Sequence, residues 1–217
     1  MKFSILINTH NQNLFLNDAI RSCINQNFKD YEIIIVDTSD KKNVSMPKRK
    51  NIKYFYKKNK YVQPELNQLH KVLYGFQKSK GKYIILMDGD DRFSPEKLKY
   101  LNDLTEKKKI LFNQDIPNLY FQKTKKKNSL KIKNYKKNFL FKFFFNNWPQ
   151  IFGTSSILIK STLLNRYFKK AKPFKWPLLA VDIQLLIFCN MFNYVTSYGN
   201  SLTLKRVHSQ SVGDKYL

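Results

Sequence analysis

Acidic residues are scarce in this chain: 15 Asp and Glu stand against 40 Lys and Arg over 217 residues, a formal net charge of +25. Such an excess concentrates polyanions nearby, whether nucleic acid, an anionic lipid surface or a phosphorylated substrate. Lysine and asparagine enrichment also follows from codon bias in an AT-rich genome, so only clustered lysines point to a function. Cysteine is nearly absent. Cys23 and Cys189 lie far apart inside apolar periodic segments, with no CxxC and no Cys/His ligand spacing. That excludes a disulfide framework and predicts two buried thiols in a reducing compartment. No run of about 18 apolar residues occurs, since the two most apolar stretches are broken by Lys142 and by Asp182 and Gln184; no spanning helix is predicted. The opening "MKFSILINTHN" has one Lys and an apolar stretch too short for a signal peptide, and reads as a first strand. There is no internal repeat and no Gly/Arg/Lys-rich phosphate loop near the start. No recognition-helix or RNA-binding signature accompanies the charge, so no specific nucleic-acid partner is predicted.

Hydrophobic residues make up 42% and aromatic residues 15% of the chain, enough for a globular core, and a chain of this size buries roughly 70% of its unfolded surface. Phe3 to Ile7 reads as a buried strand, and Leu14, Phe15, Ala19, Ile20, Cys23 and Ile24 follow at helical spacing with Asn13 as N-cap. "YEIIIV" (Tyr31 to Val36), ending in Asp37, reads as a strand covered on both faces, which completes a βαβ unit. A short strand is predicted over Asn51 to Tyr56. A helix opened by Pro64 follows, with Leu66, Leu69, Val72, Leu73 and Phe76 on one face. Tyr83 to Met87 is a further buried strand, after which Ser94, Pro95 and Glu96 read as the N-cap and first turn of a helix docked by Leu98, Leu101 and Leu104. In the second half, strands are predicted over Ile110 to Phe112, Leu119 to Gln122 and Ser155 to Ile159. A helix interrupted by Asp182 is expected from Leu179 to Phe192, and a last strand in "LTLKRVHSQSVG". Lys123 to Lys137 is basic and of low complexity and reads as a mobile loop, with a strongly aromatic stretch, Phe139 to Phe145, and Trp148 after it.

The few carboxylates are not spread evenly. "YIILMDGDDRFSPEKL" places Asp88, Asp90 and Asp91 within four positions at the C-terminal end of a buried strand, where open α/β sheets bind ligands. Asp88 and Asp90 fall on one face of an extended segment, and Gly89 leaves room for a ligand to approach. Two carboxylates about 4 Å apart repel by roughly 4 kcal/mol at an effective dielectric of about 20, which favours a cation between them. Mg²⁺ and Mn²⁺ suit one or two carboxylates together with substrate phosphates. The competing reading is a charged turn that caps the sheet and the following helix dipole.

Read together, "SILINTHNQNLFLNDAIRSCINQNFKDYEIIIVDTSD" (Ser4 to Asp40) and "GKYIILMDGDDRFSPEKL" (Gly81 to Leu98) resemble glycosyltransferase family 2, the inverting enzymes of GT-A fold. "GTSSILIKSTLL" (Gly153 to Leu164), "AVDIQLLIFCNM" (Ala180 to Met191) and "LTLKRVHSQSVG" (Leu202 to Gly213) fit its later segments more loosely. The resemblance implies an α/β, GT-A-like nucleotide-diphospho-sugar transferase fold, with a mostly parallel central sheet flanked by helices. It implies a single domain over 1–217, in which 1–109 hold nucleotide and metal and 110–217 the acceptor, with the basic loop 123–137. Carried over by position, Thr9, His10 and Asn11 cradle the nucleotide base and Asp37 lies near base and ribose. Asp88 and Asp90 form the metal-diphosphate motif, with Asp90 the direct ligand of Mn²⁺ or Mg²⁺ and Asp91 in support. Asp182 is the catalytic base, and Arg206 and His208 close over the diphosphate, Arg206 helping to stabilise the leaving group.

The resemblance further implies sugar transfer from a nucleotide-diphosphate sugar, a UDP-sugar first, to a glycan or lipid-linked acceptor in cell-surface polysaccharide synthesis. The expected location is cytoplasmic, and the basic loop and aromatic patch read either as a contact with anionic lipid on the inner membrane face or as a solvated loop followed by a core helix. The alternative is a non-catalytic basic protein that binds nucleic acid or anionic membrane. The chain departs from the family's pattern at four places. Thr38 replaces a second acid, which puts uridine preference in question unless Asp40 substitutes. His10 stands for Tyr, Val181 for the acid before the base, and Asn8 for Pro.

Overall fold

Every residue of β1 (Phe3–Thr9) and β2 (Tyr31–Asp37) is buried, as near-continuous apolar runs require when both faces of a parallel sheet are covered. The computed structural model describes residues 1–42, 46–129, 152–192 and 196–208. The other strands are β3 (Ile52–Tyr56), β4 (Tyr83–Asp88), β5 (Arg92–Phe93), β6 (Phe112–Asp115), β7 (Asn118–Phe121), β8 (Lys126–Ser129), β9 (Ile157–Lys160), β10 (Thr196–Gly199) and β11 (Thr203–Val207). Seven form the main sheet in the order β10-β6-β9-β4-β1-β2-β3, and four form a small one, β5-β11-β7-β8. β1, β2, β3 and β4 are mutually parallel; β9 runs antiparallel between β4 and β6.

The period-two alternation of side chains sorts the sheet into two apolar layers. Phe3, Ile5 and Ile7 of β1, with Ile33, Ile35, Ile85 and Met87, pack under α1 (Asn13–Ile24) and α3 (Lys97–Lys107). Leu6, Ile34, Val36, Ile84 and Leu86 face α2 (Pro64–Lys78), α4 (Ser161–Lys170) and α5 (Val181–Met191). Cys23 lies in the first layer and Cys189 in the second, both as free thiols. Among the described residues no helix is long and apolar enough to cross a membrane.

The α/β architecture agrees with the sequence reading, and several boundaries move for local reasons. Asn13 is the first residue of α1 rather than its cap, which is Gln12. Ser94 to Glu96 form a turn ahead of α3, because Ser94 N–H donates to Leu202 O at 2.9 Å and Lys97 N–H closes on Ser94 O at 3.1 Å. Residues 154–156 make one 3₁₀ turn before β9. Asp182 does not interrupt a helix. It sits in the first turn of α5, since Leu179 N–H is held by Trp176 O in a preceding turn, and an acid is favourable at that end of the helix dipole. The basic loop is in part a strand: Lys126 to Ser129 pair with β7. Residues 130–137 of it, the aromatic stretch Phe139 to Phe145 and Trp148 lie outside the described residues.

The two sheets meet at a buried ammonium. Lys97, 1% exposed, donates to Asp115 Oδ1 at 2.8 Å, Ser155 O at 2.9 Å and Thr203 Oγ1 at 2.6 Å, and Nζ lies 4.0 Å from the centre of the Phe93 ring. Burial lowers its proton affinity and Asp115 opposes that. Lys97→Met strands the Asp115 carboxylate and is expected to cost about 3–5 kcal/mol in urea unfolding, while Lys97→Met with Asp115→Leu recovers a substantial part.

Candidate functional site

Strands β1, β2 and β4 end side by side, with Asn8 paired to Asp88 and Thr9 to Asp37 across the sheet, so the loops that follow them line one crevice. Asp37 is fully buried and its oxygens are committed. Oδ1 accepts Ser39 N–H at 2.8 Å and Ser39 Oγ–H at 2.5 Å, and Oδ2 accepts the Tyr54 hydroxyl at 2.7 Å. It therefore shapes the loop 38–40 from beneath. That loop is tied to the one after β1. Asn11, in the left-handed region at φ 55, donates N–H to Ser39 Oγ at 2.8 Å and Nδ2–H to Asp40 Oδ2 at 2.9 Å. His10 Nδ1 lies 2.7 Å from Thr38 O; a carbonyl only accepts, so Nδ1 carries the proton.

The acidic turn follows β4. Its glycine is required by the protein itself: a Cβ on Gly89 would lie 2.7 Å from Thr9 Cβ and Oγ1, so the tight approach is to the end of β1 rather than to a ligand. Asp88 N–H donates to Ser155 Oγ at 2.9 Å, and Asp88 Oδ1 accepts from Gln68 Nε2 at 3.1 Å. Asp90 Oδ2 lies 3.0 Å from His208 Nε2, and the His208 ring packs 4.6 Å from that of Phe15. Asp91 Oδ1 accepts Arg206 N–H at 2.9 Å. The Arg206 guanidinium is buried and each of its nitrogens has a protein partner: Nε donates to Asp90 O at 2.9 Å, one terminal nitrogen to Gln122 Oε1 at 2.6 Å and the other to Asp18 Oδ2 at 3.3 Å, with Phe15 beneath at 4.5 Å.

The carboxylates raise one another's proton affinity. Burial, then the charges of Asp91, Asp90 and Asp182, push the Asp88 carboxyl well above the usual range, and Lys205 opposes. Burial and Asp90 push Asp91 up to about 7. Burial also raises Asp182, whose Oδ1 accepts Ile183 N–H at 2.9 Å. Asp182 thus shares one electrostatic site with Asp88, although 94 positions separate them by number. Among the described residues no three His, Cys, Asp or Glu side chains close into a metal cage. The donor set nevertheless fits a divalent ion that brings phosphates with it. Asp88 Oδ2 and Asp90 Oδ1 have no protein partner among the described residues, and the crowded charge favours a cation.

Two cations and one amide escaped the sequence reading. Lys71 on α2 is buried, donates to Thr9 O at 3.2 Å, and is pushed down to about 8 by burial while Asp88 and Asp37 hold it up. Its signal was the row Asn67, Lys71, Gly75, spaced by four and buried together. Lys205 on β11 lies against Gly153 and its charge acts on Asp88, Asp91 and Asp182. Among the described residues the buried Asn8 amide and Thr9 Oγ1, at the end of β1, have no hydrogen-bond partner, which leaves them for a ligand or water to satisfy.

Comparison with known proteins bears on the family and the fold. The family model described as Glycosyl transferase family 2 matches residues 4–168. An uncharacterised glycosyltransferase of Rickettsia conorii is 31% identical over 117 residues, 52% of this chain and 18% of that protein. The GalNAc(5)-diNAcBac-PP-undecaprenol beta-1,3-glucosyltransferase of Campylobacter jejuni is 34% identical over 96 residues, 42% of this chain and 30% of that protein. The chain therefore spans less than a third of the length of these two curated relatives. The crystal structure of S. aureus TarS 1–349 in complex with UDP-GlcNAc superposes with a TM-score of 0.68 at 13% identity, over 97% of this chain and 60% of that one. At that identity the likeness shows the fold, which is the GT-A-like arrangement expected.

The raised Asp91 sets a pH dependence. Its folded pKa of about 7 exceeds the unfolded carboxylate value, so the folded state binds more protons in between. That contribution to stability is present at low pH and is lost as pH rises from about 4 to about 7. In chelator, Asp91→Asn is expected to melt with the wild type near pH 4 and above it near pH 7, in thermal scans across that interval.

Proposed function

Because the chain belongs to glycosyl transferase family 2, we propose that it transfers a sugar, with inversion, from a nucleoside diphosphate sugar to a hydroxyl of a glycan or lipid-linked acceptor. The observation that carries this reading is the Asp88–Asp90 turn at the end of parallel strand β4, within electrostatic reach of Asp182. A UDP-sugar donor is supported by the UDP-GlcNAc bound to the TarS neighbour, and a lipid-linked acceptor by the undecaprenol-linked substrate in the name of the Campylobacter relative. The work divides between residues 1–109, which hold the donor, and 110–217, which receive the acceptor, at the inner face of the cell membrane in surface polysaccharide synthesis.

The donor base lies against Thr9, His10 and Asn11, on loops held by Asp37 through Ser39 and Tyr54. Asp88 and Asp90 would hold Mn²⁺ or Mg²⁺ together with the donor diphosphate. When bound, that ion supplies positive charge to the departing diphosphate. Asp182 takes the proton of the attacking hydroxyl from the opposite side of the sugar; burial raises its affinity for that proton. Arg206 works through the protein: with every arm engaged, it fixes the backbone of Asp90 and the segment that carries His208. His208 in turn orients the Asp90 carboxylate.

Titration calorimetry with UDP and with GDP, with and without Mn²⁺, tests the donor site. Manganese-dependent binding of UDP that Asp90→Asn abolishes is expected; intact protein that binds neither nucleotide with metal would sink the proposal. Asp182→Asn is expected to bind UDP and Mn²⁺ as the wild type does and to lose transfer by about 10²–10⁴-fold. A loss of nucleotide binding in that variant would remove Asp182 from the role of base.

A further inference from the structure

Just ahead of Asp182 the chain turns large apolar side chains outward on a backbone that is held in place. Trp176 is 60% exposed and Leu178 81%, and Val62 on the neighbouring loop is 95% exposed. The loops touch: the ring of Tyr61 lies 5.8 Å from that of Phe174. The backbone under Trp176 and Leu178 is ordered by three hydrogen bonds. Trp176 N–H donates to Pro173 O at 3.1 Å, Leu179 N–H to Trp176 O at 3.2 Å, and the buried Gln184 side chain to Leu179 O at 2.7 Å. Gln184 is itself fixed by the Tyr167 hydroxyl at 2.8 Å. Single exposed apolar residues are ordinary, whereas a cluster on a fixed loop marks a contact surface.

The surroundings say what kind of contact. Lys60, Lys172 and Lys175 are exposed on the same two loops as the three apolar tips, and Lys60 Nζ stands 5.6 Å from the Tyr61 ring. No Asp or Glu occurs between Asp115 and Asp182 in the sequence, so the loop Lys172 to Leu178 itself carries charge of one sign; on the neighbouring loop Glu65 follows Val62 in the first turn of α2. Lysines interspersed with an exposed Trp and aliphatic tips match a bilayer surface, where the indole sits at headgroup depth and the ammonium groups meet anionic headgroups.

We propose that the loop Lys172 to Leu178, with Lys60 and Val62 beside it, docks the protein on an anionic lipid bilayer. The apolar tips enter the interface and the lysines stay at the level of the headgroups. Docking stands apart from the transferase reading; only its consequence rests on that reading. The same loop delivers Asp182 at the start of α5, so docking holds the proposed base next to the plane from which a lipid-linked acceptor rises.

The test is co-sedimentation of the full 217-residue chain with vesicles of phosphatidylcholine alone and with phosphatidylcholine mixed with phosphatidylglycerol. Binding to the anionic vesicles only is expected, with a blue shift of tryptophan fluorescence that Trp176→Phe removes. Trp176→Ser with Leu178→Ser is expected to weaken binding at least about tenfold, and Lys172→Gln with Lys175→Gln about fivefold per lysine. Both double variants alter exposed side chains and are expected to melt with the wild type and to keep manganese-dependent UDP binding. If the serine variant binds anionic vesicles as the wild type does, the attraction is the charge of the whole chain and the proposal falls. Wild type that binds UDP but no vesicles overturns the docking and leaves the transferase reading standing. A dimer in sedimentation velocity that the serine variant breaks would assign the patch to a second copy and also overturn it.

Discussion

The Lys97 ammonium is the point on which both sheets and the acidic turn depend. Its partners come from β6, from the turn before β9 and from β11, so a single charge fixes the small sheet against the large one. Ser155, whose carbonyl accepts from Lys97, also offers its hydroxyl to the backbone of Asp88. The position of Asp88 is therefore set from behind by a buried ion pair. Such a pair is an uncertain source of net stability, because the desolvation of two charges offsets much of their attraction. Its value here is geometric: an unpaired Asp115 is strongly disfavoured, so alternative placements of β11 are too.

From β11 the same constraint reaches the crevice twice, by the two faces of one strand. Arg206 points toward Phe15 and the backbone of Asp90, while Lys205 points toward Gly153 and the electrostatic field of Asp88 and Asp182. One side chain holds the acidic turn in shape and the other moderates its charge. Lys71 adds a third positive group from the opposite helix layer. Carboxylates that would otherwise repel one another are thus kept close by internal cations, and remain ready for an external one.

Much of this was legible in the residues. The apolar runs of β1, β2 and β4 admit few readings other than covered parallel strands, and an Asp-Gly-Asp triplet at such a strand's end points to a cation and phosphates. What escaped is what periodicity does not encode. Lys71 and Lys97 read as ordinary solvated lysines on amphipathic helices, because a long flexible stem lets the ammonium turn inward or outward from the same Cα position. Gly89 reads as room for a ligand, yet Thr9 fills that room. Asp182 looked like a break in a helix because the turn ahead of it depends on Gln184, whose side chain reaches back to carbonyls that sequence spacing does not identify. The antiparallel course of β9 depends on long-range pairing with β4 and β6, which no local pattern carries.

The two thiols acquire a use from their placement. Cys23 lies in α1 on one face of the main sheet and Cys189 in α5 on the other, and burial pushes each up to about 12. Neither sulfur is a nucleophile while its layer stays closed. Alkylation at each then acts as a clock for one layer. Equal rates mean that the sheet loses both coverings in a single cooperative opening, and unequal rates mean that the layer holding the faster thiol opens on its own.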